Sequence, residues 1–285
     1  MEIIQERQNI ALFGADGQIG SAVFQSLQNL TSKVLHGGAL VSLDWQADPT
    51  KWQQALSAVS GGDWTVVVAN GLTDPSFSEE KLIQANVLFP QRVTEALARW
   101  NPRLLTIGTV FETFSAAAEK NPYFRSKRKL CTWVEAQARR PEGRGRFLHL
   151  RLHTVYGPDP RPHMFFGQIA ASLRARQPFR MTLGKQLREY HHVDDIAASV
   201  VQVLRRSWEG MQVLELNSGQ AIQLADLARA LFEAFGKADL LQLGALPEPV
   251  AENRDRVFTR TSEEFLPSSR EPIAGAIEAM RRALK

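Results

Sequence analysis

The segment Gly14-Ala-Asp16-Gly17-Gln18-Ile19-Gly20 constrains the fold of this chain more than any other. An apolar run, Asn9 to Phe13, precedes it, and Ile19, Val23, Leu27 and Leu30 follow on one helical face. A glycine turn between a strand and a helix has a specific use. Glycines allow a tight turn and let the backbone approach a pyrophosphate. Free N–H groups at the helix start then point at the phosphates. The spacing therefore predicts a dinucleotide-binding βα unit.

The chain goes on alternating. Leu40 to Leu43 reads as a strand, Lys51 to Val59 as a helix and Thr65 to Ala69 as a buried strand. Glu79 to Trp100 reads as one amphipathic helix kinked at Pro90. Leu104 to Ile107 is a strand, Tyr123 to Arg139 a helix and Phe147 to Leu152 a strand. This alternation predicts an α/β fold, a Rossmann-type doubly wound parallel sheet over residues 1–156. After Gly157-Pro-Asp-Pro-Arg-Pro162 come helices at Phe165 to Arg176, Val193 to Leu204, Leu224 to Phe235 and Ile273 to Leu284. Strands are expected at Phe179 to Leu183 and Val213 to Leu216. These segments predict a smaller C-terminal substrate-binding lobe over 157–285, with about 186–206 returning to the main domain.

Composition narrows the function. At 285 residues and 44% hydrophobic, the chain can bury a core without staples. Its one cysteine, Cys131, excludes an internal disulfide and a cysteine-rich metal site, and it reads as a packed residue. The apolar runs are too short for a membrane span, and Met1 to Asn9 is too polar for a signal peptide. A cytoplasmic protein is expected. The net charge of +4 is spread along the chain and suits small anionic phosphates rather than nucleic acid. Neither a nucleic-acid nor a membrane partner is expected.

Tyr123 and Lys127 stand four residues apart on one helical face. An ammonium near a phenol lowers the phenol's pKa from about 10, so the spacing points to a proton-transfer pair. The same Lys can hold a nicotinamide ribose, and a hydroxyl from the preceding strand end would complete the site. An acid for the adenosine ribose is harder to place. Lys33 to Gly38 contains none, and Asp44, after Leu40 to Leu43, reads better as a loop cap. NAD and NADP both stay open.

Taken in order, these segments resemble the extended short-chain dehydrogenase/reductase family, in its nucleotide-sugar epimerase/dehydratase/reductase branch. The glycine loop, Val66 to Gly71, Asn86 in Gln84-Ala-Asn-Val-Leu-Phe-Pro90, the Tyr123/Lys127 pair and Arg151-Leu-His-Thr-Val-Tyr-Gly-Pro158 carry the likeness. So do Arg188-Glu-Tyr-His-His-Val-Asp-Asp195 and Asn217-Ser-Gly219. The resemblance implies NAD or NADP bound by Gly14, Asp16, Gly17, Gln18, Ile19, Gly20, Ala69, Asn70, Gly71, Asn86, Tyr123, Lys127, His153 and Val155. It implies a nucleotide sugar as substrate, with Thr109 orienting the reacting oxygen and Arg188 contacting a phosphate. Arg188 reads equally as a salt-bridge partner of Glu189 or Asp194. Arg254 and Arg256 are further phosphate candidates.

The hydroxyl is the irregular part. Register on Val110-Phe111 places Ile107 at the family's Ser/Thr position, between Thr106 and Thr109; Thr109 is chosen for its spacing to Tyr123, with Thr106 second. Family dehydratases commonly carry Asp-Glu just after the Thr. Here Val110-Phe111-Glu112 follows, which favours a 4-keto reductase or epimerase. A short-chain reductase of a non-sugar carbonyl and an inactive NAD(P)-binding regulator are the alternatives. The resemblance also implies a homodimer, with Leu130, Val134 and Ala138 facing either a partner or the chain's own core. His191-His192-x-Asp194-Asp195 is not expected to bind metal, because neighbouring strand residues point to opposite faces.

Overall fold

The computed structural model describes residues 8–29, 37–114, 119–210, 212–248 and 270–285. Lys33 to His36, Arg254 and Arg256 lie outside the described residues. The chain divides into two compact units, Met1–Leu152 with Ala197–Glu215, and His153–Ile196 with Leu216–Lys285.

The first unit is built on a six-stranded sheet. Its strands are β1 (Gln8–Phe13), β2 (Leu40–Leu43), β3 (Asp63–Val68), β4 (Arg103–Thr109), β5 (Phe147–Leu152) and β9 (Val213–Leu216), in the order β2-β1-β3-β4-β5-β9. The pairs from β2 through β5 are parallel. Parallel strands are covered on both faces, so they read as continuous apolar runs. Ile10 to Phe13 and Val66 to Val68 are buried accordingly. Helices α1 (Gln18–Asn29), α2 (Pro49–Ser57) and α5 (Pro122–Ala138) follow strands β1, β2 and β4. Phe13, Trp52 and Phe89 meet edge to face in the core, with Trp64 buried in the same cluster.

The segment 79–100 is not the single kinked helix that its periodicity suggests. It forms α3 (Glu79–Ile83), a π-helical turn (Gln84–Leu88), α4 (Phe89–Ala96) and a 3-10 turn (Ala98–Trp100). Pro90 has no N–H to return to residue 86. The turn widens, and the Phe89 N–H reaches the carbonyl of Gln84 instead. Asn86 lies inside this widened turn and is buried. On α5, Leu130 and Val134 pack with Val87, and Ala138 is also buried. These side chains serve the chain's own core, not a partner.

In the second unit β6 (Thr154–Tyr156), β8 (Leu187–His192) and β10 (Ala221–Gln223) form a sheet in the order β10-β8-β6. The unit also contains α6 (Phe165–Ala175), α8 (Leu224–Ala234), α9 (Pro272–Ala283) and a ribbon of β7 (Phe179–Arg180) with β11 (Leu241–Gln242). Its core gathers Tyr156, Phe166, Tyr190, Leu227 and Leu231. Helix α7 (Val193–Leu204) begins in this unit with Asp194 and Asp195 in its first turn, where negative charge suits the helix dipole. Among the described residues no helix is long and apolar enough to cross a membrane.

Candidate active site

The strand order reverses between β1 and β3, and in open parallel sheets the crevice beyond the strand ends at such a point is where ligands bind. Here that place is made of glycine and backbone. Gly14 has φ +85, and a Cβ on it would lie 2.5 Å from the Asn70 nitrogen. The Gly17 N–H donates to the Gly14 carbonyl at 3.0 Å, closing the turn. A Cβ on Gly20 would collide with the same carbonyl. Gly14 and Gly20 thus each have a steric cause, whereas a Cβ on Gly17 would lie 3.3 Å from the Gly14 carbonyl oxygen. Asp16 is exposed, and Gln18 and Ile19 are half-buried at the start of α1.

Ala69, Asn70 and Gly71 leave β3 beside this turn, and the Ala69 N–H donates to the Phe13 carbonyl at 3.0 Å. The Asn70 Oδ1 is buried with no hydrogen-bond partner among the described residues. Asn86 fixes the next stretch. Its amide donates to the Leu72 carbonyl and the Ser126 hydroxyl, both at 2.9 Å, and its Oδ1 accepts the Leu72 N–H at 3.0 Å. A Cβ on Gly71 would lie 2.7 Å from the Asn86 Oδ1 and 3.4 Å from the Lys127 Nζ. Asn86 therefore ties the β3 loop to the helix of Tyr123 and Lys127.

Asn121 caps α5 by accepting the N–H groups of Tyr123 and Phe124. Lys127 is buried, and its Nζ donates to the Ile107 carbonyl at 2.8 Å. Burial lowers its pKa to about 8, opposed by the Glu112 carboxylate. The expected lowering at Tyr123 is not what the structure shows. Burial, reinforced by Glu112, raises the phenol's pKa instead. The Lys127 charge is committed to the Ile107 carbonyl, and the carboxylate acts on the phenol with the opposite sign.

Thr109 caps the 3-10 turn Val110–Thr113, its hydroxyl accepting the Phe111 N–H at 3.4 Å. Phe111 stacks on Phe124 at 5.0 Å, docking this turn against the start of α5. Thr106 points elsewhere, its hydroxyl 2.7 Å from the buried His149 Nδ1. Glu112 is buried and meets the Arg151 Nε at 2.7 Å and the His149 Nε2 at 3.1 Å. Glu112, Cys131 and His149 bring ligand-type atoms within 4.8 Å of one another. Arg151 donates both to Glu112 and, at 3.3 Å, to the Cys131 sulfur, so a guanidinium already fills that place. Burial pushes the thiol up to about 12, which makes it inert.

In the second unit His153 is buried and stacks on His191 with ring centroids 5.7 Å apart, while Val155 is half-buried. Glu189 accepts the Ser218 N–H at 2.5 Å, its hydroxyl at 2.9 Å and the Gly219 N–H at 3.1 Å. Asp194 and Asp195 pair with Arg270. Arg188 is buried in β8 and donates to the Leu187 carbonyl at 2.8 Å. His192 turns away from His191, its Nδ1 accepting the Asp194 N–H at 3.1 Å.

Asp44 stands where the sequence reading put it, after Leu40 to Leu43. It follows β2, the strand paired directly with β1, and it is exposed at the strand's end. It also makes the expected loop cap, accepting the Gln46 N–H at 2.9 Å. The signal was the apolar run Leu40 to Leu43, whose last residue pairs with Phe13.

Residues 10–217 match the model of the NAD dependent epimerase/dehydratase family. The chain belongs to that family. Over 92 residues it is 33% identical to a dTDP-L-rhamnose 4-epimerase of Burkholderia thailandensis, a match covering 30% of this chain and 25% of that protein. The chain thus aligns with about a quarter of the length of that curated relative. The structure of MoeE5 in complex with UDP-glucose and NAD superposes with TM-score 0.74 at 23% identity, covering 97% of this chain and 100% of that one. A UDP-glucose 4-epimerase of Thermotoga maritima with UDP-glucose gives TM-score 0.75 at 16% identity, covering 97% and 100%. These structures share the fold of this epimerase/dehydratase family member.

Proposed function

We propose that this protein is an NAD-dependent oxidoreductase or epimerase of a nucleotide-activated sugar, acting at a sugar carbon as a 4-keto reductase or epimerase rather than a dehydratase. The observation that carries this reading is the buried Lys127 and half-buried Tyr123 on α5, tied through Asn86 and Gly71 to the glycine cradle. The cradle suits a dinucleotide: Gly14 and Gly20 let the backbone close tightly enough to approach a pyrophosphate, and the Asn70 Oδ1 is buried beside it with no hydrogen-bond partner among the described residues. The bound cofactor supplies hydride exchange with the sugar carbon. Gly14, Gly17 and Gly20 let the backbone approach its pyrophosphate, and in this reading Asp44, the acid that follows β2, accepts the adenosine 2′-hydroxyl and disfavours a 2′-phosphate. Lys127 holds the nicotinamide ribose, and the family resemblance carries His153 and Val155 over as further cofactor-binding residues.

Tyr123 is the proton donor. In the reductive direction the protonated phenol gives its proton to the oxygen that becomes an alkoxide. Thr109 orients that oxygen. Glu112 is locked by His149 and Arg151 and is not free for the elimination step of a dehydratase. Arg188, buried in β8, contacts a substrate phosphate, as the family resemblance implies.

The test is to denature freshly purified protein and identify released nucleotide by mass spectrometry. Tightly retained NAD supports an epimerase, which regenerates its cofactor. Empty protein that binds NADH and oxidises it with a nucleotide 4-ketosugar supports the reductase. Protein that binds neither NADH nor NADPH refutes the reading. One observation favours a second reading, an NAD(P)-binding regulator without catalysis: Ile107 occupies the family's hydroxyl position, and Thr106 is committed to His149. Full biological activity of a Tyr123→Phe variant would establish it.

A further inference from the structure

Behind Tyr123 and Lys127 lies a charged cluster that the proposed chemistry does not use. The Glu112 side chain is 1% exposed and that of His149 is 0% exposed. A carboxylate buried so deeply is costly unless it is paired, and Glu112 is paired. Thr106 meets the His149 Nδ1, the His149 Nε2 meets Glu112, and Arg151 joins Glu112 to Cys131. The carboxylate also accepts the Thr109 N–H at 3.3 Å, closing a capping box on the turn that carries Thr109. From α5, the Arg128 Nε donates to the Glu112 carbonyl at 2.7 Å. Gly108 makes the arrangement possible, because a Cβ there would collide with the His149 ring and lie 2.6 Å from the Glu112 Oε2.

We propose that Glu112, held by His149 and Arg151, is a positioning residue that anchors the Thr109 turn and sets a fixed negative charge behind the Tyr123/Lys127 pair. The groups around it are His149 and Arg151 on β5, Tyr123, Lys127, Arg128 and Cys131 on α5, and Thr109 at the end of β4. Burial lowers the Lys127 pKa, and the carboxylate opposes that lowering. At Tyr123 the same charge adds to the upward shift that burial sets. One anion thus acts on both members of the pair. The inference rests on the reading of Tyr123 and Lys127 given above.

Its test reads Lys127 directly, without substrate or cofactor. Protein labelled with 13Cε-lysine is titrated by NMR, and the Lys127 signal is assigned by its loss in Lys127→Met. The wild-type midpoint is expected near 8. E112Q should lower it by about one pH unit or more, as loss of a nearby opposite charge does. E112D, which keeps the charge, should return it towards the wild-type value. R151Q, which removes the cation neutralising Glu112, should shift the midpoint upward. A buried ion pair that serves folding alone would leave Lys127 unmoved in every variant with native circular dichroism. That result overturns the proposal. If E112Q does not fold, R151Q decides by the same criterion. Failure to turn over any nucleotide sugar would refute the proposed function while leaving the Lys127 shifts to stand or fall separately.

Discussion

Gly14 and Asn70 approach so closely that a methyl group on Gly14 would sit 2.5 Å from the Asn70 backbone nitrogen. The contact joins the ends of β1 and β3, where the dinucleotide crevice forms. Gly14→Ala has to push the β3 loop away and also carries φ +85. It should abolish NAD binding at concentrations that saturate the parent protein, measured by calorimetry. Gly37→Ala is the control, with φ +82 and nothing within 4 Å. It should cost about 1 kcal/mol of stability and leave binding intact. Equal loss of binding in both variants would remove the steric account of the cradle.

Lys127 links the site to stability. Its pKa is lowered from 10.5 to about 8, chiefly by burial. Between those values the unfolded chain holds a proton that the folded chain has released, so folding is favoured as pH rises. Below pH 8 the burial penalty is present in full, and above 10.5 it has vanished. Relative to Lys127→Met, the wild type should therefore gain about 3 kcal/mol across that window. Urea midpoints of both proteins at pH 7.5 and 10 test this. A difference that does not change with pH would show that the ammonium is not buried.

Glu189 shows the opposite sign. Burial would raise its pKa, but His191, His153 and the Ser218 groups bring it down to about 2. The stabilisation is complete above 4.5 and is lost as pH falls through 2. Glu189→Gln should destabilise the protein by about 3 kcal/mol at neutral pH, with the difference closing under acid. Chemical denaturation at pH 7 and pH 3 would reveal it. A constant difference would assign the effect to lost hydrogen bonds alone.

The first unit was legible because its signals are local. A glycine turn between apolar runs, and Tyr123 and Lys127 at helical spacing, need no distant partner to be read. Three features depend on what lies across the fold. Asp44 matters only once Leu40 to Leu43 pairs with β1. The sign of the Tyr123 shift is set by burial that composition does not reveal, and Glu112, eleven positions earlier, adds to it. The π-helical turn at Gln84–Leu88 answers Pro90, yet its hydrogen bond runs to a residue that periodicity counts as ordinary helix. Short strands such as β10 carry too few residues for an alternation to register.

Thr106 and Thr109 lie three residues apart and meet different fates, which makes them a sharp test. Thr109 caps the turn docked on α5, whereas Thr106 is spent on the buried His149. Thr109→Val should lower kcat about 100-fold with cofactor affinity retained, as loss of a group orienting the reacting oxygen does. Thr106→Val leaves the His149 Nδ1 without its partner and should cost about 1–3 kcal/mol of stability with kcat nearly unchanged. Tyr123→Phe sets the scale, with an expected loss of about 10²–10⁴ in kcat. Steady-state kinetics and urea denaturation of the three variants distinguish the roles. The reverse pattern, with Thr106→Val inactive and Thr109→Val active, would move the hydroxyl to the other residue and require His149 to be part of the reaction.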